Sequence, residues 1–268
     1  MADSQVIADP WALLRTFTTA RIGLQRAGDA VATGPLLDFQ LAHAQARDAV
    51  HAVLDPQAIV SAVAPLPAIV VHSQAHDRPT YLRRPDFGRA LGGESAKALP
   101  PGPYDVVFIV ADGLSAGATA LHAPEVLRAT IEALPDLSIA PVVIASQARV
   151  ALADEIGERM GAALSVILLG ERPGLTTPDS LGIYLTFGPR RGRQDSERNC
   201  ISNIHARGGL PHAEAAGQLM RLVRAALGEG RSGVGLKVNG AGPAVSVTLQ
   251  PALRRLPANR RPSPPVSE

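Results

Sequence analysis

Three short segments hold side chains that could do chemistry, and each follows an apolar run. Gly113-Leu114-Ser115-Ala116-Gly117 fits the pattern G-x-S-x-G. It comes directly after a strand-like run and before a helix-like one, the setting in which a serine nucleophile is presented on a sharp turn. His205 or His212 could serve as base and Asp195 as orienting carboxylate. Against this, no glycine-rich oxyanion loop lies upstream, and little chain remains downstream to complete a triad. Serine ahead of a helix is also commonly a cap for its free amides. Glu171 and Arg172 stand where an apolar run meets Pro173-Gly174. They read either as a solvated ion pair on a turn, worth little, or as a carboxylate aimed at a ligand beyond the end of a strand. Cys200, the only cysteine, is expected to serve packing or contact, since reactivity would require a cation or helix N-terminus beside it.

Other patterns fail. Gly233-x-Gly235 and Gly240-x-Gly242 lack the third glycine and the strand-to-helix setting of a dinucleotide site. There is no Walker loop. His212-Ala213-Glu214 begins like a zinc deaminase motif, but no cysteine pair follows. No metal site is expected from one cysteine and scattered histidines. His43 and His51, eight apart on one helical face, suit a core or interface better than a ligand set.

The elements that would position these residues follow from periodicity. Asp9-Pro10 opens a helix carrying Trp11, Leu14 and Phe17, which Gly28 can end. A second helix begins near Thr33 or Gly34 with an apolar stripe of Leu37, Leu41, Ala44, Val50 and Leu54, and Asp55-Pro56 restarts a short one through Val63. An apolar run at Ala68–His72 follows. From Tyr104 onward strands and helices alternate: strand to Val110, helix 117–134, strand Ile139–Ala145, helix Arg149–Met160, strand Leu164–Leu169. That alternation predicts right-handed crossovers and a parallel sheet. Strand Leu181–Phe187, the alternating segment Arg198–Ile204, helix His212–Leu227 and a last strand Gly233–Val238 complete the series. Ligands bind such sheets outside the carboxyl ends of the strands. That singles out the loops at Asp112–Ser115, Gln147–Val150 and Gly170–Leu175.

The composition fits a folded protein. Of 268 residues, 46% are hydrophobic and 19% charged, values of an ordinary globular chain. No apolar run is long enough for a membrane span. Met1–Asp9 lacks the basic-then-apolar order of a secretory signal, and a lone cysteine excludes an internal disulfide, so a cytoplasmic setting is expected. Net charge is +2, with Lys97 and Lys237 the only lysines among many arginines. Aromatics are only 3%, which leaves few platforms for stacking bases and argues against nucleic acid. Residues 239–268, rich in Pro and Arg, are expected to be a disordered tail.

Taken together, the segments resemble the ethanolamine ammonia-lyase small subunits. The resemblance rests on Thr19-Ala20-Arg21-Ile22-Gly23, Leu37-Asp38-Phe39, Arg47-Asp48-Ala49-Val50, Tyr81-Leu82-Arg83-Arg84-Pro85-Asp86, Asp112-Gly113-Leu114-Ser115, Gly170-Glu171-Arg172-Pro173-Gly174-Leu175 and Cys200-Ile201-Ser202-Asn203-Ile204. It implies an α/β fold: a Rossmann-like parallel sheet over 67–238, a helical N-terminal subdomain over 1–66, and the tail. It implies a share in an adenosylcobalamin-dependent radical reaction, ethanolamine to acetaldehyde and ammonia. The substrate pocket then lies in a large subunit, and no catalytic residue lies here. The positions matching the family's cobalamin contacts are Val150, Glu171 and Cys200, expected in a shallow, uncharged cradle. Absence of a D-x-H-x-x-G motif implies base-on binding. The family implies enclosure in a bacterial microcompartment as an alternative to the open cytoplasm, and the start of the first helix near Asp9, which leaves a shorter N-terminus than in enteric relatives, makes that alternative doubtful. Until the large subunit docks, Trp11, Leu14 and Phe17 are expected to be exposed.

Overall fold

The computed structural model describes residues 9–18, 20–24, 26–27 and 29–236. The expected tail, and Gly28 as a helix stop, lie outside them. The N-terminal part holds α1 (Ala12–Arg15), the two-residue strands β1 (Arg26–Ala27) and β2 (Ala30–Val31), α2 (Thr33–His51) and α3 (Pro56–Val63). The expected long first helix is corrected to a single turn. Its apolar side chains reach no core, for Trp11 lies only against Gly23 and Trp11, Leu13, Leu14 and Phe17 all stay exposed, and so short a helix has little stability of its own. Arg15 instead folds the chain back, donating to the carbonyls of Ile22 and Gly23 at 2.7 Å each. Helix α2 forms where its spacing predicts, but buries only Ala42, leaving Leu36, Leu37, Phe39 and Leu41 exposed.

The remaining elements are β3 (Ala68–His72), α4 (Arg78–Arg83), α5 (Gly93–Lys97), β4 (Tyr104–Ala111), α6 (Ala116–Glu132), β5 (Val142–Ser146), α7 (Leu152–Met160), β6 (Ala162–Gly170), β7 (Leu181–Phe187), β8 (Arg198–Ile204) and α8 (His212–Glu229). The strands form one six-stranded sheet in the order β3-β5-β4-β6-β7-β8. Strand β5 pairs parallel with β3 and β4, and β4 parallel with β6; β7 then runs antiparallel to both β6 and β8. The sheet is therefore mixed and mostly parallel: the expected parallel arrangement holds from β3 to β6, and β7 and β8 depart from it. The reason lies in the connections. A parallel return needs a crossover, usually a helix; the link from β6 to β7 carries none, and the link from β7 to β8 only the 3-10 turn Asp195–Glu197.

The central strands are buried on both faces. Val107, Ile109 and Ala111 of β4 join Leu152, Ile156 and Met160 of α7 in one apolar cluster. The alternate residues Val106, Phe108 and Val110, equally buried, face the other side, where α6 and α8 pack on the sheet and on each other. The last expected strand, Gly233–Val238, is also corrected over its described residues, with 237 and 238 lying outside them. Gly233–Gly235 is a 3-10 turn, because Gly233 takes φ +75° and its backbone lies hard against Ser196 and Glu197, leaving no room for a pleated side chain. Among the described residues no helix is long and apolar enough to cross a membrane.

A buried ion pair ties α7 to the edge of the sheet. The two Arg198 terminal nitrogens donate to the two Asp154 carboxylate oxygens at 2.6 and 2.7 Å, and both side chains are almost inaccessible. Removing one partner leaves a desolvated charge. Asp154→Ala is expected to destabilise the chain by about 3 kcal/mol, read as a lowered urea midpoint; a loss below about 1 kcal/mol would contradict the pairing as described.

Candidate functional site

The loop after β4 is organised around one carboxylate. Asp112 is fully buried. Its oxygens accept from the amides of Gln147 at 2.8 Å and Ala148 at 3.0 Å, so the ends of β4 and β5 are laced together. Arg78 lies 3.5 Å from the same carboxylate, donates to Gly113 O at 2.9 Å, and reaches back to Val50 O of α2 at 2.7 Å. Burial pushes the Asp112 carboxyl up, while the two amides and the arginine pull it down. Tyr81 of α4 stands between two guanidinium groups, Arg78 at 4.7 Å and Arg149 at 4.3 Å from its ring centre, and donates its hydroxyl to Ala148 O.

The end of β6 comes in against this framework. Gly113 takes φ +56°, and a Cβ there would strike the backbone of Gly170. Leu114 N donates to Gly170 O at 2.9 Å. Only glycine on both sides allows this approach. The result is a cavity of about 510 Å³ lined in part by Tyr81, Arg149, Val150, Glu171, Arg172 and Tyr184. Val150 and Glu171 thus share one cavity. Cys200 does not line it. It lies on edge strand β8 directly across from Tyr184 of β7, so the two side chains share a face. It lines a neighbouring cavity of about 450 Å³ with Asn203 and Pro211. The three residues sit on one side of the sheet, two together and the third joined to them through Tyr184.

One expectation is corrected: the cradle is not uncharged, since Arg149, Glu171 and Arg172 line it. Cys200, expected to serve packing or contact, is exposed on the edge strand. Desolvation of its sulfur pushes the thiol up; a hydrogen bond with Tyr184 acts against this and the Glu171 charge adds to it. The Tyr184 hydroxyl, desolvated and beside Cys200, is pushed up to about 12.

Ser115 is not a nucleophile. It is buried at 1% exposure, caps α6 by accepting from Ala118 N, and donates to Pro178 O at 3.0 Å. Neither proposed base reaches it. His205 is bonded to Asn203, and His212 to Glu125 and His122. Tyr81, Arg149 and Tyr184 were not singled out from sequence as site residues. The alternation of β7 puts Gly182 and Tyr184 on one face, but only the register with β8 sets Tyr184 beside Cys200.

A mostly parallel α/β sheet with a cavity at its strand ends places the chain among α/β proteins, in which strand-end loops are the usual ligand position. The comparisons name the particular kind. A family model described as "Ethanolamine ammonia-lyase light chain (EutC)" matches residues 8–237. The chain is 48% identical over 242 residues to the ethanolamine ammonia-lyase small subunit of Ralstonia nicotianae, covering 87% of this chain and 89% of that one. It is 49% identical over 245 residues to the protein of that name from Pseudomonas syringae pv. tomato, covering 88% and 85%, and 48% over 244 residues to that of Azotobacter vinelandii, covering 87% and 90%. The chain belongs to the ethanolamine ammonia-lyase light chain family.

The thiolate is the reactive form of cysteine. Alkylation of Cys200 by iodoacetamide is therefore expected to rise with pH to a midpoint above that of a cysteine peptide measured alongside. A midpoint near neutrality would mean that a cation, not burial, governs the thiol.

Proposed function

We propose that this chain is the small subunit of a cytoplasmic, adenosylcobalamin-dependent ethanolamine ammonia-lyase. It covers one rim of the cofactor, while a large subunit binds ethanolamine and completes the enclosure. The reading is supported most directly by the cavity in which Val150 and Glu171 meet, with Cys200 adjoining through Tyr184. A cavity of about 510 Å³ accepts part of a corrinoid rim, not the whole macrocycle with its side chains, so a second surface is needed.

The residues present suit that group. The corrin periphery carries neutral amides, which offer N–H donors and carbonyl acceptors. Glu171 can accept from such an amide, and Arg149 and Arg172 can donate to a carbonyl or phosphodiester oxygen. Val150 supplies apolar contact against the cluster beneath the sheet, and Cys200 a small contact at the edge. When bound, adenosylcobalamin supplies the organic radical by homolysis of its cobalt–carbon bond. The chain's part is to hold position and exclude water. None of its residues is assigned a proton transfer.

Residues 67–238 are read as the cobalamin-contacting part and 1–66 as the part that docks on the large subunit. The exposed Trp11, Leu14, Phe17, Leu37 and Leu41 support the second assignment, since apolar groups clustered on a surface mark an interaction site.

Coexpression with the large subunit is expected to give a complex that copurifies and releases acetaldehyde from ethanolamine when adenosylcobalamin is added; the chain alone should associate with itself. Within the complex, Glu171→Ala should weaken cobalamin binding about tenfold, as for loss of a hydrogen bond to a charged acceptor, and leave kcat at saturating cofactor nearly unchanged. A monodisperse monomer with no affinity for the large subunit would sink the assignment.

A further inference from the structure

We propose that Ser180 is a positioning residue for cofactor binding, setting which oxygen of Glu171 faces the ligand. This rests on the reading of Glu171 as a cobalamin contact. Glu171 and Ser180 stand at the two ends of the link between β6 and β7, and Glu171 N donates to Ser180 O at 2.9 Å, closing its base. The Ser180 hydroxyl then donates to Glu171 Oε2 at 2.5 Å. The amide of Asn203, at the end of β8, donates to the same oxygen at 3.3 Å. Among the described residues both donors to this carboxylate fall on Oε2, leaving Oε1 to accept from a ligand amide. Gly182 makes the arrangement possible, because a Cβ there would come within 3.0 Å of Oε1 and 3.1 Å of Cγ.

Ser180 is itself held from below. Ser115 at the start of α6 donates to Pro178 O at 3.0 Å, and His122 two turns further on bonds Asp179 O at 2.9 Å through Nε2. The backbone just before Ser180 is thus anchored to the helix that packs on the sheet. The buried hydroxyl works from a fixed point. Two elements meet on one carboxylate oxygen, the link through Ser180 and β8 through Asn203, and α6 anchors the link. A carboxylate held in this way loses less rotamer freedom when a ligand arrives. Without Ser180 the Glu171 side chain can turn toward solvent, and part of its contact is lost.

The test uses the cofactor-free two-subunit complex and hydroxocobalamin, with the dissociation constant read by equilibrium dialysis. Ser180→Ala is expected to raise the constant about fivefold, the order of one hydrogen bond. It should raise KM for adenosylcobalamin in parallel and leave kcat unchanged. Ser180→Thr, which keeps the hydroxyl, should return both to within about twofold of the parent. In a Glu171→Ala background, Ser180→Ala should add nothing, because the hydroxyl acts only through that carboxylate. A purely structural serine would instead lower the thermal midpoint and weaken binding equally in both backgrounds. If Glu171→Ala weakens binding but Ser180→Ala does not, or if the two effects add, this inference is overturned and the reading of Glu171 survives. If Glu171→Ala itself leaves the constant unchanged, the reading of Glu171 fails and the inference with it.

Discussion

The buried carboxylate of Asp112 is the constraint on which the cavity depends. A desolvated charge is tolerated only when it is paired and hydrogen-bonded. Here its partners come from two distant places in the chain: the adjacent Gln147 and Ala148 amides beyond β5, and Arg78 of α4. Meeting the demand of one residue therefore fixes the ends of β4 and β5 and the start of α4 together. Arg78 extends the network to the carbonyl of Val50 in α2, which ties the N-terminal helices to the sheet. Tyr81, between Arg78 and Arg149, turns that network into one wall of the cavity.

The second wall depends on an absence of side chains. Gly113 and Gly170 let two strand-end backbones touch, which brings the beginning of the β6–β7 link into line with Asp112 and Val150. Because that link carries no helix, β7 returns antiparallel, and β8 follows it. This reversal matters for function as much as for topology. It lays Tyr184 and Cys200 side by side next to the parallel strand ends, where a wholly parallel sheet would have carried the chain away over one face.

The arginines at the rim change the chemical character of the site. A neutral cradle would rely on shape and apolar contact, whereas Arg149, Arg172 and Glu171 give directed donors and an acceptor. A small number of placed polar groups among apolar walls is the usual means of orienting a large ligand. The open side of the cavity and the exposed apolar residues of α1 and α2 are two aspects of one property. In the proposed function, a second protein covers both.

Local chemistry was legible from the residues alone. Asp55-Pro56 started α3 where a cap followed by proline must start a helix, the buried strands β4 and β6 were plain from apolar runs, and Ser115 capped α6 as serine before a helix does. The family resemblance pointed to Val150, Glu171 and Cys200. Tertiary structure alone decided the rest. The first helix shrank to one turn because helix stability comes from packing partners that periodicity does not reveal. The last two strands of the sheet joined it through antiparallel pairings because strand direction depends on what a connection can span. Cys200 fell in a separate cavity from Glu171, joined to it by Tyr184, because cross-strand register pairs residues far apart in sequence. A sequence encodes each residue's local preference directly, but contacts between distant segments are settled only when every buried charge and apolar face must be satisfied at once.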